Sequence, residues 1–171
     1  MIVIRPETPE DIPTIYDVIC LAFGQDNEAK LVDKLRKATD FIRDISLVAV
    51  DDNKVIGHIL FSPIRIEGHK GVVSALALAP MAVRPEYQRK GVGSQLVRFG
   101  LARTKTLGHR IVVVVGHADY YPRFGFIPAR AVGIEAPFPV PDEAFLILEL
   151  IEGALNGVSG TVKYPSPFES V

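Results

Sequence analysis

The chain has 171 residues, with 19 basic and 20 acidic side chains and a formal net charge of −1. This length suits one domain over residues 1–171, whose core is large enough to fold without disulfides or structural metals. The balanced charge argues against nucleic acid or an acidic membrane as a general partner. The sequence shows neither a signal peptide nor an apolar run long enough to span a bilayer, and it contains a single cysteine. We therefore expect a cytoplasmic protein.

The first 40 residues predict one strand and two helices. Residues 2–4 are apolar and predict the strand, and Thr8 is a favourable cap for the helix that follows. The apolar positions of this helix recur at helical spacing: Ile12, Ile15, Ile19 and Phe23. Gly24 is expected to end it, and residues 28–38 predict the second helix. Glu28 falls in the first turn of that helix, where a carboxylate is stabilising.

A β-hairpin is predicted next, from two β-rich segments, 45–50 and 55–66, joined by the turn-forming residues 51–53. Both faces of the second segment are apolar, which is typical of a central strand covered on both sides. His58 lies in this strand and must therefore find a partner or face a cavity. Its neutral imidazole could accept a proton in catalysis, or it could be a core histidine bonded to a backbone or hydroxyl group.

Residues 72–83 predict another strand, with Pro80 inside it. Because proline cannot donate a ladder hydrogen bond, Pro80 marks either a bulge where pairing breaks or an edge-strand position. A basic turn with Gly91 and Gly93 follows, and then a helix that ends at Gly108. Glycines at a helix start let backbone N–H groups approach an anion, and the helix dipole adds positive potential. A dinucleotide fingerprint would need a third glycine at position 96, which is Leu96. An ATP phosphate loop would need Gly-Lys-Ser/Thr, which the sequence lacks, so neither motif is present.

Residues 111–115 are apolar and β-branched, as expected of a buried parallel strand that completes a right-handed βαβ unit. His117 follows its carboxyl end, where open α/β sheets place ligands, although a surface position is equally compatible. A short helix from Tyr120 to Gly125 and a strand over 143–151 come next. Residues 153–171 are rich in glycine, proline and serine and predict a C-terminal tail.

Two motifs in this order resemble those of the GCN5-related N-acetyltransferase (GNAT) superfamily. The acetyl-CoA motif Gln/Arg-x-x-Gly-x-Gly/Ala is matched by Gln88, Gly91 and Gly93. The segment 118–126 is similar to the superfamily's Phe-Tyr-x-x-x-Gly-Phe sequence, which aligns its tyrosine with Tyr121. Segments 58–63, 120–126 and 157–162 together resemble the YhbS-like branch, so the likeness covers nearly the whole chain.

The resemblance implies a mixed α/β fold whose central, mostly antiparallel sheet splays at one parallel strand pair and is flanked by helices. It also implies acetyl-CoA as cosubstrate. The strand residues Met81, Ala82 and Val83 would offer backbone groups to its pantetheine and acetyl carbonyl. The turn residues from Arg89 to Ser94 would bind its pyrophosphate. The cofactor-binding set is then Met81, Ala82, Val83, Gln88, Arg89, Lys90, Gly91, Val92, Gly93 and Ser94.

The implied reaction is acetyl transfer to a primary amine of a small molecule or peptide, by direct attack in a ternary complex. Tyr121 would protonate the departing thiolate, and His58, His117 or Glu28 would be the base; no metal is expected. The alternative is an acyl-CoA-binding sensor or interaction module with little catalysis, because its cofactor motifs would look the same. Dimers are frequent among the proteins that the chain resembles, so a homodimer stays open.

Overall fold

The computed structural model describes residues 1–170. The helices and strands follow in this order: β1 (Ile2–Pro6), α1 (Ile12–Phe23), α2 (Asn27–Arg36), β2 (Ser46–Asp51), β3 (Lys54–Gly68), β4 (Gly71–Val83), α3 (Val92–Thr106), β5 (Ile111–Val115), β6 (Ile127–Pro128), β7 (Ile134–Glu135), β8 (Phe145–Glu149) and β9 (Gly160–Lys163). In the described part of the chain, no helix combines the length and the apolar character needed to cross a membrane.

The chain divides into two compact units. The first contains Met1–Ser62, Ala79–Arg103 and the segment that begins at Ser166, and the second contains Pro63–Leu78 and Thr104–Pro165. Strands β3 and β4 and helix α3 contribute residues to both units. One domain over residues 1–171 stays a prediction.

The first unit packs α1 and α2 against an antiparallel arrangement of β1, β2 and β3. Strand β2 pairs with β1 on one side and with β3 on the other, where the register shifts between Ala49 and Val50. Buried apolar residues of both helices form one core with the strands, including Ile15, Val18, Ile19, Leu31, Val32, Leu35, Val48 and Leu60. Of the positions that the helical spacing marked in α1, Ile15 and Ile19 are buried, whereas Ile12 is half-buried and Phe23 is 41% exposed.

Local signals fix the ends of these helices. The Thr8 backbone N–H and hydroxyl both donate to the Asp11 carboxylate, at 2.7 and 3.1 Å, which stabilises the 3₁₀ turn that leads into α1. Gly24 ends α1 in the left-handed region, with φ of 69°, and its N–H donates to the Cys20 carbonyl at 2.9 Å. The predicted turn between β2 and β3 also forms, with φ of 47° at Asp52 and 62° at Asn53.

Helix α3 lies directly on the first unit's strands because two glycines leave room for it. A Cβ on Gly57 of β3 would come within 3.1 Å of a Leu96 methyl carbon. A Cβ on Gly100 of α3 would come within 2.4 Å of the Phe61 ring. These two glycines therefore allow the close approach of α3 to β3.

The second unit is a mixed sheet. Strand β5 runs parallel to β4, in the register Leu76 to Val112 and Ala77 to Val113, and β4 continues to Val83. Strand β8 pairs antiparallel with β5 and β6. The fold class expected from the sequence is confirmed, with a second short parallel pair between β7 and β9 that the sequence did not predict.

The segment expected to be a tail contains a strand. Strand β9 pairs antiparallel with β3 at residues 65–67 and parallel with β7, and its Val162 is 0% exposed. The β-branched pair Thr161 and Val162 suits such pairing, although glycine and serine surround it. The sequence also predicted a longer β8 than forms, because Asp142–Ala144 makes a 3₁₀ turn and β8 ends at Glu149.

Candidate functional site

The turn between β4 and α3 is held by hydrogen bonds to neighbouring backbone. As the chain leaves β4, the Arg84 N–H donates to the Ile56 carbonyl at 2.8 Å, and the Arg84 guanidinium donates to the Val55 carbonyl at 3.0 Å. The Gln88 side-chain amide donates to the Val83 carbonyl at 2.9 Å. Gln88 therefore closes the turn on the end of the strand, which gives a structural reason for this residue type at the start of the glycine motif.

The backbone of this turn has the shape of an anion site. Arg89 and Gly91 both have positive φ, of 63° and 86°, on either side of Lys90. A Cβ on Gly91 would meet no atom within 4 Å, so it is the dihedral angle, not crowding, that favours glycine there. Backbone that alternates in this way directs successive N–H groups toward one side, which forms a concavity for anions.

Helix α3 begins immediately after this concavity. It starts at Val92, and the Gln95 N–H donates to the Gly91 carbonyl at 3.0 Å. The helix dipole thus directs its positive end at the turn that carries Arg89 and Lys90, both of them exposed. Met81, Ala82 and Val83 close β4 just before the turn, with Ala82 and Val83 buried.

A third basic group lies near this turn. The ammonium groups of Lys90 and Lys54 lie 5.8 and 5.9 Å from the centroid of the Tyr87 ring. Lys54 begins β3 and is far from the motif in sequence, so motif spacing could not reveal it. Lys54 thus adds a positive charge near the turn that carries Arg89 and Lys90, and a pyrophosphate requires charges of this sign.

His58 lies in a buried polar cluster with Glu7, Ser46 and Arg36. Its Nε2 is 3.0 Å from the Ser46 hydroxyl and 3.6 Å from Glu7 Oε1. The Ser46 hydroxyl donates to Glu7, and the Arg36 guanidinium donates to both Glu7 oxygens, at 2.8 and 3.0 Å. His58 is 0% exposed, and its Nδ1 has no hydrogen-bond partner among the described residues.

The charges in this cluster follow from its surroundings. Burial lowers the pKa of His58 below its ordinary value, and the nearby Glu7 carboxylate only partly offsets that effect. His58 is thus neutral at pH 7, and the Glu7 carboxylate neutralises Arg36. The sequence interpretation did not include Glu7, Ser46 and Arg36, because they come from different elements and share no motif with His58.

Glu28 lies in the first turn of α2, as predicted. Its carboxylate accepts hydrogen bonds from the Gln25 side-chain amide at 3.0 and 3.2 Å. Next to it, Asp26 forms an ion pair with Lys30 at 3.0 Å. Glu28 is partly exposed, so its carboxylate is accessible from solvent.

Tyr121 belongs to the second unit and is packed tightly there. Its ring is 7% exposed and meets Phe126 edge-on, with centroids 5.7 Å apart. A Cβ on Gly116 would come within 2.3 Å of this ring, so the backbone after β5 rests directly on it. Burial is the main cause that raises the pKa of Tyr121 to about 12, so the hydroxyl keeps its proton at neutral pH.

His117 and Tyr120 lie beside Tyr121 but in different surroundings. His117 is exposed, and its carbonyl accepts hydrogen bonds from the Tyr120 and Tyr121 N–H groups, at 3.1 and 3.3 Å. The Tyr120 ring lies 4.6 Å from the Arg123 guanidinium. The two tyrosine rings contact each other edge-on, with centroids 5.1 Å apart, and the predicted short helix is a 3₁₀ turn over Tyr121–Phe124.

The described residues contain no group of His, Cys, Asp and Glu side chains arranged to hold a metal ion.

Comparison with known protein families and relatives identifies the chain's family. The family model of the acetyltransferase (GNAT) domain matches residues 3–129. The uncharacterized N-acetyltransferase YhbS of Escherichia coli is 38% identical over 166 residues, which are 96% of this chain and 97% of YhbS. Another E. coli protein, the uncharacterized N-acetyltransferase YjhQ, is 37% identical over 94% of this chain and 90% of its own length.

Solved structures agree with these relatives. The crystal structure of YhbS in complex with CoA superposes with a TM-score of 0.91 at 37% identity, covering 98% of this chain and 92% of that one. A GNAT family acetyltransferase from Brucella melitensis, in complex with acetyl-CoA, gives a TM-score of 0.80 at 33% identity over 98% of both chains. The chain therefore belongs to the GCN5-related N-acetyltransferase family.

Proposed function

We propose that this chain transfers the acetyl group of acetyl-CoA to a primary amine of a small molecule or peptide. The observation that carries the proposal is the turn from Gln88 to Ser94, where left-handed backbone, exposed basic side chains and a helix start coincide. These features suit the pyrophosphate of acetyl-CoA, which carries negative charge near the middle of the molecule. The CoA and acetyl-CoA complexes of the two similar structures support the same cosubstrate.

The strand residues before the turn bind the part of acetyl-CoA that carries the acetyl group. Backbone groups of Met81, Ala82 and Val83 bind the pantetheine and polarise the acetyl carbonyl, which stabilises the charge that develops on its oxygen. Gln88 holds the cofactor-binding turn against the end of β4. The other residues of the turn bind the pyrophosphate: Arg89, Lys90, Gly91, Val92, Gly93 and Ser94. Acetyl-CoA itself supplies the activated acyl group, and the amine attacks it directly while both substrates are bound.

Tyr121 donates a hydrogen bond, and then a proton, to the thiolate that leaves. Its pKa of about 12 keeps the hydroxyl protonated at neutral pH. The same value exceeds the roughly 8.5 of an ordinary thiol, so stabilisation of the thiolate by the hydrogen bond precedes full proton transfer. The proton then returns to Tyr121 from the base or from water.

The base that takes the proton of the amine is one of His58, His117 and Glu28. Complete burial of His58 against Ser46 and Glu7 favours a structural role for it. His117 and Glu28 reach solvent and are therefore the better candidates. We place the reaction in the cytoplasm, consistent with the single cysteine, Cys20, and a homodimer stays a prediction.

The proposal is tested by release of free thiol from acetyl-CoA with a panel of primary amines, for the wild type and Tyr121→Phe. At least one amine should accelerate release, and the variant should lower the turnover number about 100-fold, as loss of a general acid does. Because the change leaves the turn intact, acetyl-CoA affinity should be unchanged.

The assay also separates the enzyme from the sensor. If no amine accelerates release, and the variant releases thiol as slowly as the wild type, the chain is an acyl-CoA-binding module. Tyr164→Phe is the matched control, since burial also raises the pKa of this tyrosine to about 12, but it lies outside the motif. Its turnover should match that of the wild type.

A further inference from the structure

The second unit contains a pocket that the acetyl-transfer residues do not line. Its volume is about 460 Å³, which lies in the range of about 300–1,000 Å³ typical of small-molecule sites. The walls are mostly apolar and include Ile127, Val132, Ile147 and Leu155. Ile127 is 43% exposed, so this apolar surface is open to an incoming molecule.

A half-buried carboxylate lies in the apolar lining. Glu149, at the end of β8, accepts a hydrogen bond from the Leu155 N–H at 2.9 Å through Oε2. Within the described residues, no Lys, Arg or His nitrogen lies within ion-pair distance of Glu149, although the same unit pairs Arg130 with both Glu135 and Asp142. Glu149 therefore places an uncompensated negative charge in a mostly apolar pocket.

The loop that contributes Leu155 and Asn156 to the pocket lining is held by short-range hydrogen bonds. Asn156 donates its N–H to the Gly153 carbonyl at 3.1 Å, and Val158 donates to the Leu155 carbonyl at 3.1 Å. With the Glu149 bond, these contacts form the loop without a ligand. The pocket is thus preformed, which reduces the conformational entropy that a ligand would have to pay.

We propose that this pocket binds a small organic monocation, an ammonium group on an apolar body. The ammonium would form a charge-assisted hydrogen bond with Glu149 Oε1, while the hydrocarbon part would pack on Ile127, Val132 and Ile147. The Asn156 amide at the mouth offers a further polar contact. An anion would be repelled by Glu149, and a neutral apolar molecule would leave the carboxylate without a partner.

The test is a titration with 2-phenylethylamine, followed by the backbone amide resonances in NMR and performed without acetyl-CoA. The neutral 2-phenylethanol has nearly the same shape and is the control ligand. We expect the amine to shift the Leu155 amide resonance saturably and to bind about tenfold more tightly than the alcohol. Binding of the alcohol with equal affinity, or no saturable shift with the amine, would overturn the proposal.

Two variants locate the site. Glu149→Gln keeps an oxygen for the Leu155 N–H and should weaken amine binding about tenfold, because the charge is lost. Asn156→Lys changes an exposed loop residue and should weaken it by repulsion at the mouth. Glu152→Gln removes the same charge from an exposed residue outside the lining and should leave the affinity unchanged. Equal binding by all three variants would place the amine elsewhere.

This proposal is independent of the acetyltransferase function, since binding is measured without the cosubstrate. Acetyl-CoA binding by Glu149→Gln should equal that of the wild type. A failure of amine binding would leave the turn at Gln88–Ser94 untouched, and a failure of acetyl-CoA binding would leave the pocket untouched. The two outcomes are therefore distinguishable.

Discussion

Glu7 is a buried carboxylate that stays charged because of its neighbours. Burial is the largest single influence and raises the pKa of Glu7, but contacts with His58, Arg36 and Ser46 outweigh it and lower the value to about 2. The pKa of His58 is lowered by the same burial. At neutral pH the cluster therefore holds a carboxylate, a guanidinium and a neutral imidazole. With the Ser46 hydroxyl of β2, these groups join the residue after β1 to α2 and β3 within the first unit.

These pKa shifts predict that the protein loses stability as the pH falls. The unfolded chain takes up a proton at His58 near its ordinary pKa of 6.5, whereas the folded state resists it, so stability falls below pH 6.5. Glu7 adds a second loss between its ordinary value of 4.5 and about 2. Urea unfolding at a series of pH values measures this, and stability that is constant or rises between pH 7 and 4 would contradict it.

Removing the Glu7 charge gives a separate prediction. Glu7→Gln leaves the half-buried Arg36 guanidinium with only the Asp33 carboxylate, 3.2 Å from Nη1, and should lower the free energy of unfolding by about 2 kcal/mol at pH 7. The acid-dependent loss from Glu7 should also disappear. Glu10→Gln removes a charge from an exposed position nearby and should change stability by less than about 0.5 kcal/mol. Equal effects of the two substitutions would show that the cluster contributes little.

At the scale of elements, the position of α3 depends on Gly100. Alanine normally stabilises a helix interior relative to glycine, by about 1 kcal/mol. Here the added methyl group would collide with the buried Phe61 ring, so Gly100→Ala should instead destabilise the protein by about 1–3 kcal/mol. Thermal unfolding measures the change, and Gln95→Ala, at an exposed position of the same helix, is the control. A stabilised Gly100→Ala variant would mean that α3 does not lie close to β3.

Elements with strong local signals could be predicted from the sequence. The spacing from Ile12 to Phe23 and the glycine after it define α1, and the β-branched run 111–115 defines β5. Strand β9 could not be predicted in the same way. Its pairing depends on the free edges of β3 and β7, which are distant in sequence, and the surrounding glycine and serine are typical of loops.

For the whole molecule, local sequence signals predicted one part of the candidate site, the turn at Gln88–Ser94, but not the other, the cluster around His58. The turn at Gln88–Ser94 is contiguous, and its motif could be recognised from residue types and spacing alone. The cluster around His58 draws on residues as far apart as Glu7 and His58, and no local pattern links them. Lys54 likewise approaches the turn only because the β2–β3 hairpin brings the start of β3 near Tyr87.

The proposed acetyltransferase function requires that the turn from Gln88 to Ser94 bind the pyrophosphate of acetyl-CoA. Gly91→Glu places a negative charge in this turn, at a position where the added side chain meets no atom within 4 Å. Gly71→Glu is its match, since Gly71 also has positive φ, of 122°, and equally open surroundings at the first residue of β4. Backbone strain should therefore be similar in the two variants, whereas only one changes the charge at the site.

Calorimetric titration with acetyl-CoA of the wild type and these two variants is the most direct measurement. The wild type and Gly71→Glu should bind with equal affinity, and Gly91→Glu should bind at least about tenfold more weakly, because its carboxylate repels the pyrophosphate. If the folded wild-type protein does not bind acetyl-CoA, or if Gly91→Glu binds it as tightly as Gly71→Glu does, the turn is not the pyrophosphate site.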